Sequence, residues 1–284
     1  EGKKEGSSMK MEALSEIVAI FRRWNLKLLR QPIFLFFSLI QPLVWFLLFT
    51  QAFSSIGNIP IPGAIPTPGA PSALEFYTGA KSYITFFTAA VIIQTIASSA
   101  LQAGIGLVND LDSGFMDKMR VAPISKSAIL FGKLFSDAIS TIIQVAIILV
   151  IGLALGVSIA SGILGVVMMM AIAATFGIAW SGISLFVALT TKSSQTTLSV
   201  GLLTTFPLLF LSASVMPLQL LPGWVQQVAK VNPFTYIAQA FQSLIINGFV
   251  WEKIEYAFLS IIIIGVISLG ASISVFRKKG VLSD

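Results

Sequence analysis

Six apolar stretches, each near the ~20 residues a helix needs to cross a bilayer, divide this chain, and nearly all of its lysines and arginines lie on one side of them. Lipid offers no partner for an exposed backbone N–H or C=O, so each crossing must satisfy its own hydrogen bonds as a helix. The expected fold is therefore an all-α polytopic membrane protein with six transmembrane helices. The spans are expected at Ile33–Phe53, Tyr83–Ala103, Ile129–Gly156, Ile163–Thr190, Thr196–Val215 and Tyr256–Phe276.

Composition agrees. Of 284 residues, 56% are apolar and 11% charged, whereas a soluble domain carries about 25% charged residues. Of the 18 basic residues, 15 precede the first span, flank the loop between spans two and three, or follow spans four and six. Only Lys81, Lys230 and Lys253 fall on the opposite side. That bias predicts cytoplasmic termini, and the charges read as orientation signals and lipid headgroup contacts rather than a nucleic-acid surface.

The 284 residues are organised as a polar tail (1–10), an amphipathic interfacial helix (11–31) and a membrane domain (32–279). No cleavable signal peptide is expected ahead of the first span. In the interfacial helix Leu14, Ile17, Val18, Phe21, Trp24 and Leu28 recur at helical spacing among basic residues. It serves as a surface anchor, as an elbow meeting a cytoplasmic partner, or as both. Pro42 should kink the first span. The external loop 54–80 carries five prolines and should be a stiff connector.

The loop 104–127 is the most informative segment. Leu107, Leu111, Phe115 and Met119 lie on one helical face, with Asp110, Asp112, Asp117, Lys118 and Arg120 on the remainder. A helix that short and charged cannot span, and it should end before Pro123. It is expected to be a cytoplasmic rod whose apolar face rests on the bundle while its charges meet a soluble protein.

Gly152 and Gly156 form a small-xxx-small pair that suits close helix packing. Asp137 lies four residues after Lys133, which predicts an ion pair along one helix. The second external segment, 216–254, should hold two short interfacial or re-entrant helices before the last span. The second of these opens with Asn232 as N-cap and Pro233 at the first helical position. These helices could roof an exit path or cover a lipid-facing gap.

Histidine and cysteine are absent, which removes the commonest general base, thiol nucleophiles and the usual zinc ligands. No P-loop exists; Gly132-Lys133 lacks the upstream glycine and is followed by Leu134. The chain is not expected to be an enzyme, and no catalytic residue, metal site or bound cofactor is assigned. The predicted span interiors offer neutral polar groups such as Gln41, Gln94, Gln102 and Gln144, so any driving force should enter from another subunit.

The run VNDLDSGFMDKMRVAPIS at 108–125, continuing into LFGK at 130–133, resembles the cytoplasmic coupling loop of ABC-2 type exporter permeases, specifically the daunorubicin-resistance branch. The stretch from Leu221-Pro222 and Trp224 to Asn232-Pro233 and Tyr236 is similar to that family's external signature. The resemblance implies a half-transporter: two permease chains pair, expected as a homodimer, and each docks a separate ABC ATPase that binds ATP and Mg. Carried over by position, Asp110, Gly114, Phe115, Asp117, Lys118, Arg120 and Pro123 would meet the ATPase. The route for cargo would run between paired chains along spans one, two and five, near Phe37, Gln41, Gln94, Ser98, Thr205 and Phe206. The family also implies a prokaryotic plasma (inner) membrane and export of an amphiphilic, drug- or lipid-like molecule. The alternatives are export of a polysaccharide or lipid-linked glycan, an ATP-independent carrier or channel, and a non-transporting assembly protein.

Overall fold

The computed structural model describes residues 32–55, 59–61, 70–114 and 126–278. Side chains at 32–37, 126–131 and 276–278 are outside the described set, as are the interfacial segment 11–31 and residues 115–125. Every element among the described residues is helical: α1 (Pro32–Ala52), α2 (Ala73–Thr78), α3 (Tyr83–Asp112), α4 (Lys126–Ala154), α5 (Gly162–Thr191), α6 (Ser194–Phe210), α7 (Gly223–Val231), α8 (Pro233–Gln242) and α9 (Trp251–Lys278). A π-turn, Ser243–Asn247, follows α8. Helices α3, α4, α5 and α9 are long and apolar enough to cross a membrane. At the first expected crossing α1 runs 21 residues and is apolar over the described side chains of Ser38–Ala52, and at the fifth α6 has 17 residues.

Helix α3 is the axis of the bundle, packed against α1, α4, α5, α6 and α8. Small residues set the distances. A Cβ on Gly104 would strike the backbone of Ser184 at 2.6 Å, so α3 and α5 touch main chain to main chain. Ser184 Oγ donates to Ala100 O at that crossing, 2.6 Å away. Between α5 and α9, Ser268 Oγ donates to Ala179 O and Ser272 Oγ to Gly182 O, each at 2.6 Å. Hydroxyl-to-carbonyl contacts over small residues are how membrane helices adhere where apolar burial supplies no drive.

Two local readings are revised. The helix of the second expected crossing does not end near Ala103: α3 continues unbroken for 30 residues to Asp112. Leu107 and Val108 are buried against the bundle, which carries the helix through the glycines at 104 and 106. It ends where Gly114 takes φ +64, with Ser113 N donating to Asn109 O. Second, Gly152 and Gly156 do not form a packing face: α4 stops at Ala154, and Gly156 takes φ +93. Val157 N donates to Gly152 O and Gly156 N to Leu153 O, the bond pair of a Schellman helix stop. The helix before the last crossing, α8, packs one face into the bundle, with Phe234, Ile237 and Phe241 fully buried. Asn232 and Pro233 do open α8 as expected, with Phe234 N donating to Asn232 Oδ1 at 3.0 Å.

Candidate functional site

One face of α3 carries Tyr83, Phe87, Gln94, Ser98 and Leu101 at helical spacing, and it looks into a seam formed with α1 and α6. The Phe87 ring stacks on Phe49 of α1 at 5.3 Å, and Tyr83 lies 6.0 Å from Phe53. On the α6 side Leu101 fills the space a Cβ on Gly201 would need. Ser194 Oγ donates to Asn109 Oδ1, and the Tyr83 hydroxyl donates to Val215 O at 2.9 Å. Those contacts run α3 and α6 antiparallel and set Thr205 level with the middle of α3.

The two ends of the seam differ. Toward the α2–α3 turn, Trp45, Phe49, Phe206 and Phe210 form a continuous aromatic cluster, with Trp45 centroids 4.7 Å from Phe49 and 5.6 Å from Phe206. Below it, Gln94 is 3% exposed and its Nε2 has no hydrogen-bond partner among the described residues. An amide left unpaired in a buried site costs about 1–3 kcal/mol, so this position is not optimised for the resting fold. Thr205 is buried on the same face of α6 as Gly201, and Ser98 is half-buried. Gln41 is exposed, one turn before Trp45 on α1, and does not join Gln94. The side chain of Phe37 lies outside the described residues. Trp45 and Phe49, which dominate the cluster, were not singled out from the sequence, although Trp45, Phe49 and Phe53 recur every four residues.

At the opposite end Asp110 departs from the expectation for the docking rod. It is 4% exposed, because α3 continues past it and the bundle covers it. Lys133 of α4 is also 4% exposed, and its Nζ lies beside Gly106, one turn before Asp110. The expected pair is present: Lys133 Nζ is 3.3 Å from Asp137 Oδ2. Asp110 lies within electrostatic reach of that pair. The three charges bring α3 and α4 together near Gly106, two turns before Gly114. Phe115, Asp117, Lys118, Arg120 and Pro123 lie outside the described residues.

At the α7–α8 end, Asn232 does more than cap α8. Its Nδ2 also donates to Leu208 O at 2.6 Å and Leu211 O at 2.9 Å, closing the last carbonyls of α6. The Tyr236 hydroxyl donates to Lys230 O. Pro222 precedes α7, and Trp224 is 65% exposed on it. These motif residues are joints and a surface aromatic.

The long apolar helices, their small-residue contacts and an intramembrane polar seam define a helical integral membrane protein. Residues 15–246 match the ABC-2 type transporter family, and the chain belongs to it. It is 28% identical over 268 residues to the ycf38 transport permease of Porphyra purpurea, covering 93% of this chain and 84% of that protein. It is 26% identical over 213 residues to the daunorubicin resistance ABC transporter permease protein DrrB1 of Streptomyces coeruleorubidus, covering 75% of this chain and 69% of that one. These relatives are permease subunits, and the family normally works with an ABC ATPase subunit, so the chain itself is not the catalytic ATPase.

Proposed function

We propose that the chain is the membrane half of an ATP-driven exporter, moving an amphiphilic, drug- or lipid-like molecule through the α1–α3–α6 seam. The observation that carries this is the unpartnered amide of Gln94, buried mid-helix beneath aromatic rings that two other helices supply. Such a pair of walls suits cargo with an apolar body and a hydrogen-bond acceptor. Opening requires α1 or α6 to move, because the cluster covers the amide at rest. Exposed Val44, Leu47 and Leu48 on α1 and Leu203 on α6 flank the seam. A second copy of the chain, forming a homodimer, would cover them and bring Gln41 to the path.

Six crossings, cytoplasmic termini and a prokaryotic plasma membrane complete the proposal, with α2, α7 and α8 outside. ATP and Mg are bound by the partner ATPase, which docks on 115–125 through Asp117, Lys118 and Arg120. The Asp110–Lys133–Asp137 cluster then carries the push into α3 and α4. Co-expression with the ATPase tests this: the two subunits should copurify, and charge reversal of Asp117 and Arg120 should abolish stimulated ATP turnover. Solute movement by the purified chain in liposomes without nucleotide would refute it.

A further inference from the structure

A cavity of about 210 Å³, lined by none of the seam residues, opens at the α7–α8 end between α2, α8, the π-turn and the start of α9. Its walls are unlike the rest of the bundle. Tyr77, Gln219, Gln239, Gln242, Asn247 and Lys253 line it, over a floor that includes Phe86. The lining holds one ammonium and no carboxylate; Glu252 and Glu255, on the same turn as Lys253, are exposed and face elsewhere.

The cavity is built rather than accidental. Gln242 is 8% exposed and held by donation from its Nε2 to Ala213 O at 3.0 Å, which leaves Oε1 free to accept. Asn247 is held by donation from its Nδ2 to Thr78 O, and its Oδ1 occupies the place a Cβ on Gly79 would need. The π-turn lets its carbonyls leave the helix: Leu244 O and Ile245 O accept from Ser161 N and Ala160 N of the α4–α5 turn. Three connections are thereby locked around one opening. Meanwhile the side chains of Lys253, Gln219 and Gln239 and the Tyr77 hydroxyl make no hydrogen bond or ion pair with other described residues. Fixed walls with uncommitted donors and acceptors fit a ligand bearing an oxyanion and hydroxyls.

Size and depth select the source. The volume far exceeds the roughly 10–15 Å³ that seats one water and falls below the about 300 Å³ at which sites for drug-sized molecules begin. Trp224 of α7, and Phe249 and Trp251 close to Lys253 in sequence, are exposed, and aromatics of that kind mark the headgroup layer. We infer that this cavity binds the phosphate and hydroxyls of an anionic glycerophospholipid headgroup of the phosphatidylglycerol type, with Lys253 on the phosphate and Gln219 and Gln239 on the hydroxyls. The site is separate from the seam, and its test needs neither nucleotide nor cargo.

Dioctanoyl phosphatidylglycerol, dioctanoyl phosphatidylcholine and sn-glycerol 3-phosphate are titrated into the purified chain in neutral detergent, with thermal midpoint and native mass spectrometry as readouts. Phosphatidylglycerol should raise the midpoint and remain bound, and phosphatidylcholine should do neither. K253Q should weaken binding at least tenfold with an unchanged ligand-free midpoint, K253R should restore it, and Q239L should weaken it severalfold. Equal effects of both lipids, or undiminished binding by K253Q, would overturn the anion site. Glycerol phosphate matching the lipid would overturn the lipid as source.

Discussion

Helices α3 and α9 are near in length, and α9 is the more apolar, yet 78% of the apolar stretch of α3 is buried and 17% of that of α9. In water the ranking would be reversed. In lipid, Ile262, Ile263, Val266 and Ile267 of α9 lose nothing by facing hydrocarbon, while the hydroxyls and amides of α3 must find protein. Thr95 and Ser99 do so, through Val91 O and Thr141, and the Ala100 carbonyl of α3 accepts from Ser184 of α5. The less apolar helix therefore becomes the axis, and a polar group on it that stays unpaired, Gln94, points to use rather than to packing.

The sharpest way to break this contrast is at the charged end of α3. Lys133→Met leaves half-buried Asp137 without its partner and should cost about 2–3 kcal/mol. The readout is the thermal midpoint of the purified chain, and a near-neutral result would mean water reaches the cluster. Gly104→Val forces a branched side chain onto the Ser184 backbone and should cost about 2 kcal/mol. The matching change on α9, Gly270→Val, meets open space and should shift the midpoint little. Gln94→Leu should raise stability by about 1 kcal/mol by removing an unpaired amide and still lower export in the ATPase complex. A loss of stability instead would show that the amide has a partner. Smallest of all, Ser268→Ala removes one interhelical bond and should cost about 0.6 kcal/mol.

Features governed by neighbours along the chain were legible beforehand. Asn232 and Pro233 start α8 because a cap needs only its own first turn. Lys133 pairs with Asp137 because four residues make one turn of helix. The seam was legible in part, through Gln94, Ser98, Thr205 and Phe206, since polar or aromatic residues in mid-span stand out. Trp45 and Phe49 did not stand out, because aromatic residues within an apolar run look alike until a facing helix selects some of them.

Period, apolar length and charge asymmetry were enough to establish a helical membrane protein and to suggest its kinship, since a bilayer imposes those constraints on each segment separately. Which helix forms the axis, that Gly156 stops a helix instead of packing one, that Asn232 also closes α6, and that a π-turn opens a polar cavity were decided by tertiary structure. The reason is physical: each depends on which backbone carbonyl or side chain arrives from a distant segment, and no local pattern encodes that arrival.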